Sequence, residues 1–230
     1  MRLTLSPNFV LKLLVATIIL LLLANICSII VKIYFMHDVA YGLVPLFDFN
    51  SESNLPTLFS SILMLLISLT LFFVGRSHKK QGESYIPWFG LCFIFMFLAV
   101  DETASLHERL TQPIKDSLGT TGVLYYAWVI PYGVATIALL VAYSRFLLAL
   151  PSRYLSLFLT SGALFVSGAV GLELLGGWYD EQHGTYNLTY SILYTVEELF
   201  EFTGLSLFLY SLLSYIDDYF GGLTIYMKSE

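Results

Sequence analysis

Three stretches of this 230-residue chain carry acids inside otherwise apolar runs. One reads Asp101-Glu102-Thr103-Ala104-Ser105-Leu106-His107-Glu108-Arg109, another Glu197-Glu198-Leu199-Phe200-Glu201, and the third holds Glu173 alone. Carboxylates and imidazoles in company are ligands for a divalent cation, or the acids and bases of hydrolysis. The expected ligands are Asp101, Glu102, His107, Glu108, Glu173, Glu197, Glu198 and Glu201, with His183 from the loop that follows Glu173. A carboxylate-rich mixed set suits iron, manganese, zinc or calcium, and nothing in it selects among them. The Glu-x-x-His motif of bundle di-iron sites is missing, so a di-iron oxidase is not supported. No Gly-rich phosphate loop, nucleophile elbow or Cys-His pair is present.

The elements that must position these residues follow from composition. Hydrophobic residues make up 57 % of the chain and charged residues 12 %, with a mean hydropathy of +0.76. A soluble domain of that make-up could not cover its surface with polar groups. A net charge of −6 without a basic patch disfavours nucleic acid as a partner. Two cysteines rule out a disulfide scaffold, and Cys27 and Cys92 read as packed thiols at different depths. Membrane lipid is the expected surrounding.

Six runs reach the ~20 apolar residues that a helical span requires. They cover about 9–35, 55–75, 85–110, 123–148, 154–177 and 188–216, and together predict a single all-α integral membrane domain over 1–230. Arg2, Lys12, Arg76, Lys79, Lys80, Arg145, Arg153 and Lys228 fall on one side, and Lys32, Arg109 and Lys115 on the other. Basic residues favour the cytoplasm, so a six-helix bundle with both termini inside a cell (inner) membrane is predicted. Thirteen of the 17 acids then map to the outer half, while Glu83, Asp217, Asp218 and Glu230 map inside. Trp88, Trp128 and Trp178 read as interface-belt residues.

At 100° per residue, Asp101, Ser105, Glu108 and Gln112 share one stripe of the third span, and Glu102 and Arg109 an adjacent one. His107 cannot meet Asp101 unless a turn unwinds, and Pro113 is expected to end the helix. In the sixth span Tyr190, Tyr194, Glu197, Glu201 and Gly204 form one stripe with Glu198 beside it. Like charges at that spacing repel, which calls for a cation, an arginine or shared protons. In the fifth span Ala163, Ser167 and Gly171 form a small-residue stripe suited to close helix approach. Counted at 1.5 Å per residue, Asp101, Glu173 and Glu197 lie about 24–28 Å from the inner face. Three helices thus bring carboxylates to one layer.

The first outer loop, Asp48-Phe49-Asn50-Ser51-Glu52-Ser53-Asn54, spaces oxygen ligands at every second residue, an arrangement open to a second cation. The competing reading is a turn in which Asn54 or Thr57 caps the second span and Pro56 sits in its first turn.

Taken together, Phe-Asp48…Glu52-x-Asn54-Leu-Pro-Thr, Val-Asp101-Glu102-x-x-x-x-His107-Glu108 and Glu197-Glu198-x-x-Glu201 resemble an uncharacterised group of bacterial multi-span inner-membrane proteins, which brings no activity with it. A looser similarity is to the alkaline ceramidase-like superfamily of membrane metal hydrolases. There an acidic, Asn-containing loop precedes a span and a later span carries an Asp-Glu pair. The His-x-x-x-His zinc motif of that superfamily is absent here, and no catalytic role is carried over. Three functions remain open. A divalent-cation site could serve a metal-dependent hydrolase at the outer face. The chain could transport a cation or proton, although the inner halves of the spans are nearly free of ionisable groups. Or the acids could form a hydrogen-bonded network, with Tyr190, Tyr194, Ser105 and Arg109, in an accessory subunit.

Overall fold

The computed structural model describes residues 2–4, 6–222 and 224–226; Lys228 and Glu230, counted above on the inner side, lie outside the described residues. The chain is helical almost throughout. Near the termini β1 (Arg2–Thr4) pairs antiparallel with β2 (Thr224–Tyr226). Between them run α1 (Pro7–Tyr34), α2 (Leu43–Phe47), α3 (Leu55–Gln81), α4 (Ile86–Ala104), α5 (Leu106–Leu118), α6 (Val129–Ala149), α7 (Ser152–Val166), a π-helical turn (Ser167–Leu172), α8 (Glu173–His183) and α9 (Leu188–Phe220). Six helices, counting α7 through α8 as one, are long and apolar enough to cross a membrane.

Local signals fix the ends of the two best-buried helices. The Asn54 side chain accepts from Thr57 N at 3.1 Å, Pro56 occupies the first turn, and left-handed Gly82 closes α3. Asn187 caps α9 in the same way, accepting from Tyr190 N at 2.9 Å, and left-handed Gly221 ends it. Such caps satisfy amide groups that the helix itself leaves unpaired.

Helix α9 is the central element, packed on α1, α3 and α7. Its Leu205, Leu209 and Leu212 join Leu63, Ile67 and Leu71 of α3 and Trp88 of α4 in the main core. Trp88 is therefore a core residue, 2 % exposed, and not part of an interface belt. Helix α6 behaves differently: Val129 is its single buried residue among those described. It leans on α7 and the π-turn, and is tied to α4 through side chains: Tyr143 donates to the Pro87 carbonyl at 3.1 Å and Phe146 sits edge-on to Trp88.

The close contact of the fifth and sixth spans does not use the Ala163–Ser167–Gly171 stripe. Those three residues are exposed. The contact runs through Gly168 and Gly204. A Cβ on Gly168 would lie 2.8 Å from the Glu197 carbonyl oxygen, and one on Gly204 would lie 2.7 Å from Phe165 N. The contact face, Tyr154, Phe158, Ser161, Phe165 and Gly168, keeps ordinary helical spacing and lies beside the small-residue stripe, since residue size alone does not mark which face is buried. Both cysteines are free thiols, Cys92 half-buried but Cys27 exposed where a packed thiol was expected.

Because Gly204 meets backbone atoms that cannot swing aside, Gly204→Leu should separate α7 from α9. We expect a loss of about 1–3 kcal/mol, read as a lower thermal midpoint in detergent. An unchanged midpoint would show that the two helices are not in contact there.

Candidate functional site

The acids of the third span are arranged by a break in the helix. Ser105 adopts left-handed angles (φ 48°, ψ 46°), which ends α4 at Ala104 and restarts the chain as α5. A non-glycine residue in that region is uncommon and worth explaining. The break gives the unwound turn that His107 needs. Asp101, 4 % exposed, accepts from the His107 amide at 2.9 Å and lies 3.1 Å from its Nδ1. Tyr132 of α6 donates to the same carboxylate at 2.8 Å. Asp101 is thereby committed to holding His107, whose Nε2 is left for other partners, an arrangement that fixes a ring for ligation. The expectations that the span runs to 110 and that Pro113 ends a helix are both corrected: the span stops at Ala104, and Pro113 lies inside α5.

Neighbouring elements place the other acids. Ser60 of α3 donates to Glu102 at 2.5 Å. The π-turn ends at Leu172 and turns Glu173 toward α6, where Trp128 Nε1 donates to it at 2.8 Å. Trp128 is thus a site residue, 7 % exposed, and not a belt residue. Glu197 of α9 lines the same cavity as Glu173, and carboxylates gathered there repel unless a proton or a cation joins them. On α9 the whole stripe named from the sequence, Tyr190, Tyr194, Glu197, Glu201 and Gly204, faces one space, with Glu198 beside it.

That space is a cavity of about 1510 Å³. Glu52, Asp101, Glu102, Glu108, Glu173, Glu197, Glu198 and Glu201 all line it, together with His107. No lysine or arginine is among the lining residues. The cations expected at this end are occupied or turned away. Lys32 pairs with Asp48 at 2.8 Å, Lys115 stacks 3.4 Å over the Tyr125 ring, and Arg109 is exposed on α5. Glu52, His107 and Glu108 form the tightest group, each offering a ligand atom within 4.8 Å of the others.

The first loop divides its residues between two tasks. Asp48 is buried, accepts from Lys32 Nζ at 2.8 Å and from Asn50 N at 3.1 Å. Asn54 donates to the Pro45 and Asp48 carbonyls while it caps α3. Asp48 and Asn54 therefore stabilise the turn, and Asn50 and Glu52 reach the cavity wall. His183 stays out of the group: it is exposed at the end of α8, stacked on Tyr179, with Nδ1 3.3 Å from the Tyr179 carbonyl. Tyr126 completes the rim, donating to Asp180 at 2.8 Å and lying 2.9 Å from the Tyr190 hydroxyl.

Ser60, Trp128 and Tyr132 were not among the sequence candidates. Ser60 stood out only as one hydroxyl in an apolar run. Tyr132 and Trp128 are four residues apart at the start of α6, a spacing that sets both on one face.

The chain belongs to a family described as a domain of unknown function (DUF8692), whose model matches residues 13–215. No curated protein and no solved structure matches it significantly.

Two of the candidate ligands lie outside the spans and have shifted protonation. Burial, then the nearby charges of Glu102 and Glu108, push the Glu52 carboxyl from an ordinary value of 4.5 up to about 7. Burial of His107 opposes its charging, but the Asp101 hydrogen bond and the surrounding carboxylates prevail and hold its affinity for a proton above normal. A raised carboxyl favours the folded chain while protonated. Its contribution in metal-free protein is complete below 4.5 and lost as pH rises through about 7. We expect an infrared carboxyl band that disappears with a midpoint near pH 7 and is absent in Glu52→Gln. A band that persists unchanged in the variant would contradict the assignment.

Proposed function

We propose that this member of the family binds a divalent cation at the acidic end of the bundle and works there as a membrane-embedded hydrolase. The observation that carries the proposal is the set of eight carboxylates around one cavity whose lining has no lysine or arginine. An uncompensated charge at mid-helix in a bilayer costs about 2.5–3.5 kcal/mol on insertion scales. A cation offsets that cost, and the local donors do not. Trp128, Ser60 and Tyr132 are neutral and each supplies a single hydrogen bond to one carboxyl.

His107, Glu52 and Glu108 are the proposed first ligands, with Glu102 alongside. A bound divalent cation would make a water acidic enough to serve as a nucleophile near neutral pH. The protein's part is then to orient and to move protons. Asp101 fixes the ring of His107, and Tyr132 fixes Asp101. Glu198 and Glu201 face the same space from α9 and are available as the base that takes the water proton and returns it to the leaving group. The far part of the cavity, along Leu91, Leu147 and Phe208, carries no acidic or basic side chain among the described residues, and its Tyr143 hydroxyl is engaged with the Pro87 carbonyl, which leaves a transported ion no charged relay. Placement of this end at the outer face of a bacterial inner membrane belongs to the same proposal and rests on the distribution of basic residues.

Elemental analysis of protein purified in mild detergent without chelator tests the reading. We expect about one equivalent of a divalent metal in the parent chain, its loss in His107→Ala and Glu108→Gln, and about 10–100-fold weaker binding in Asp101→Asn. Equal trace metal in the parent and all variants would end the proposal.

A further inference from the structure

The cavity is not polar throughout. Beyond Gly204 it continues as an apolar limb between α4, α6 and α7, walled by residues such as Leu91, Phe95, Leu139, Leu147 and Phe208. We infer that the occupant of this limb is the hydrocarbon chain of a membrane lipid, admitted sideways past α6, with the lipid's polar head at the acidic end. The inference rests on the reading of that end as the chemically active site and names the class of molecule it serves.

Four observations lead to a lipid. First, the limb opens through the flank of the bundle. Phe93 and Phe97 of α4 and Leu140 of α6 line it, yet are 63 %, 52 % and 53 % exposed. An opening edged by large apolar side chains in the middle of spanning helices faces hydrocarbon and not water. Second, the limb has the depth of one leaflet. Leu91 and Asp101 stand ten residues apart on α4, or about 15 Å, half of a ~30 Å hydrocarbon core. Third, the wall on one side is thin: α6 buries only Val129, and its ties to α4 are Tyr132 on Asp101 near one end and Tyr143 and Phe146 on Pro87 and Trp88 near the other, with Ala135, Leu139 and Leu140 on the cavity wall between them. Fourth, a polar group lacks a partner at the acidic end of the cavity. Tyr194, one turn of α9 beyond Glu197 on the side away from the limb, lines the cavity and is 5 % exposed, and its hydroxyl has no hydrogen-bond partner. A buried hydroxyl without a partner costs about 1–3 kcal/mol, and the head of an amphiphile lying along the limb would supply one. The lining has carboxylates and no lysine or arginine, so the head that pairs with it directly carries hydroxyl or ammonium donors.

The test uses the full chain in phosphatidylcholine vesicles with a trace of phosphatidylethanolamine that bears a photoreactive diazirine at the end of one acyl chain. After illumination, labelled peptides are mapped, and metal is measured in the same samples. Leu20 and Leu23 of α1, 66 % and 55 % exposed, report ordinary contact with bulk lipid. We expect limb peptides from α4 and α7 to be labelled at least about five-fold more than α1. Ala135→Trp on the limb wall of α6 should reduce that labelling roughly ten-fold, about 1.4 kcal/mol, with metal content unchanged. Gly162→Leu, whose Cβ meets nothing within 4 Å, is a second plug should the first variant fail to fold. Limb labelling no greater than that of α1, or labelling unmoved by a folded plug variant, overturns the inference. So does cross-linking of the limb to a second copy of the chain, which would make a protein helix its occupant. Limb labelling without bound metal supports the lipid and removes the cation. Bound metal without limb labelling removes the lipid and leaves the cation.

Discussion

Like charges cannot be gathered in an apolar surround unless something positive, or a proton, joins them. That constraint governs this molecule. Glu102, Glu173, Glu197, Glu198 and Glu201 face the same cavity from three helices. Desolvation and mutual repulsion both act against such a cluster. The structure nonetheless assembles it with several independent devices: the left-handed Ser105, the π-turn before Glu173, and two glycines that let α7 approach α9. Each is a local departure from regular helix, and all three act at the same cavity. Departures of this kind collect where function requires a geometry that regular helix does not give.

The neutral donors around the cavity show how the site is held without being neutralised. Tyr132 binds Asp101, Trp128 binds Glu173, and Ser60 binds Glu102. These bonds orient carboxyls and leave their charge in place. The basic residues nearby are engaged elsewhere: Lys32 locks Asp48 and so fixes the turn before α3. A scaffold that needed only a stable polar network could have placed Lys32 or Arg109 among the acids. Here the network named from the sequence is rearranged: Tyr190 turns to Tyr126, Ser105 to Glu52, and Arg109 lies exposed.

Much of this was legible in the residues, and the remainder has physical reasons for being hidden. Six spans follow from apolar length alone, and the common height of Asp101, Glu173 and Glu197 follows from the rise of a helix. The α9 stripe from Tyr190 to Gly204 was readable because that helix is regular over the whole stretch. Where regularity stops, counting fails. Ser105 carries no signature of a left-handed residue, since glycine or asparagine is the usual occupant. The π-turn has no sequence mark either, and the small-residue stripe of the fifth span was assigned to the wrong face because size alone does not tell a contact face from an exposed one. Trp128 and Tyr132 were hidden because aromatics near a span end serve as belt residues as readily as hydrogen-bond donors. The exposure of α6 is a tertiary fact: its sequence is as apolar as that of its neighbours, and only packing shows which faces are covered.

The central claim is that one cation is held by His107 and Glu108 of α5 together with Glu52 of the first loop. X-ray diffraction from crystals grown without chelator, with data collected on both sides of the absorption edge of the metal identified, measures this directly. The account expects an anomalous peak inside the cavity, about 2.0–2.2 Å from His107 Nε2 and within bonding distance of Glu52 and Glu108. A cavity with no such peak, its carboxyls paired with one another through shared protons and ordered water, would contradict it.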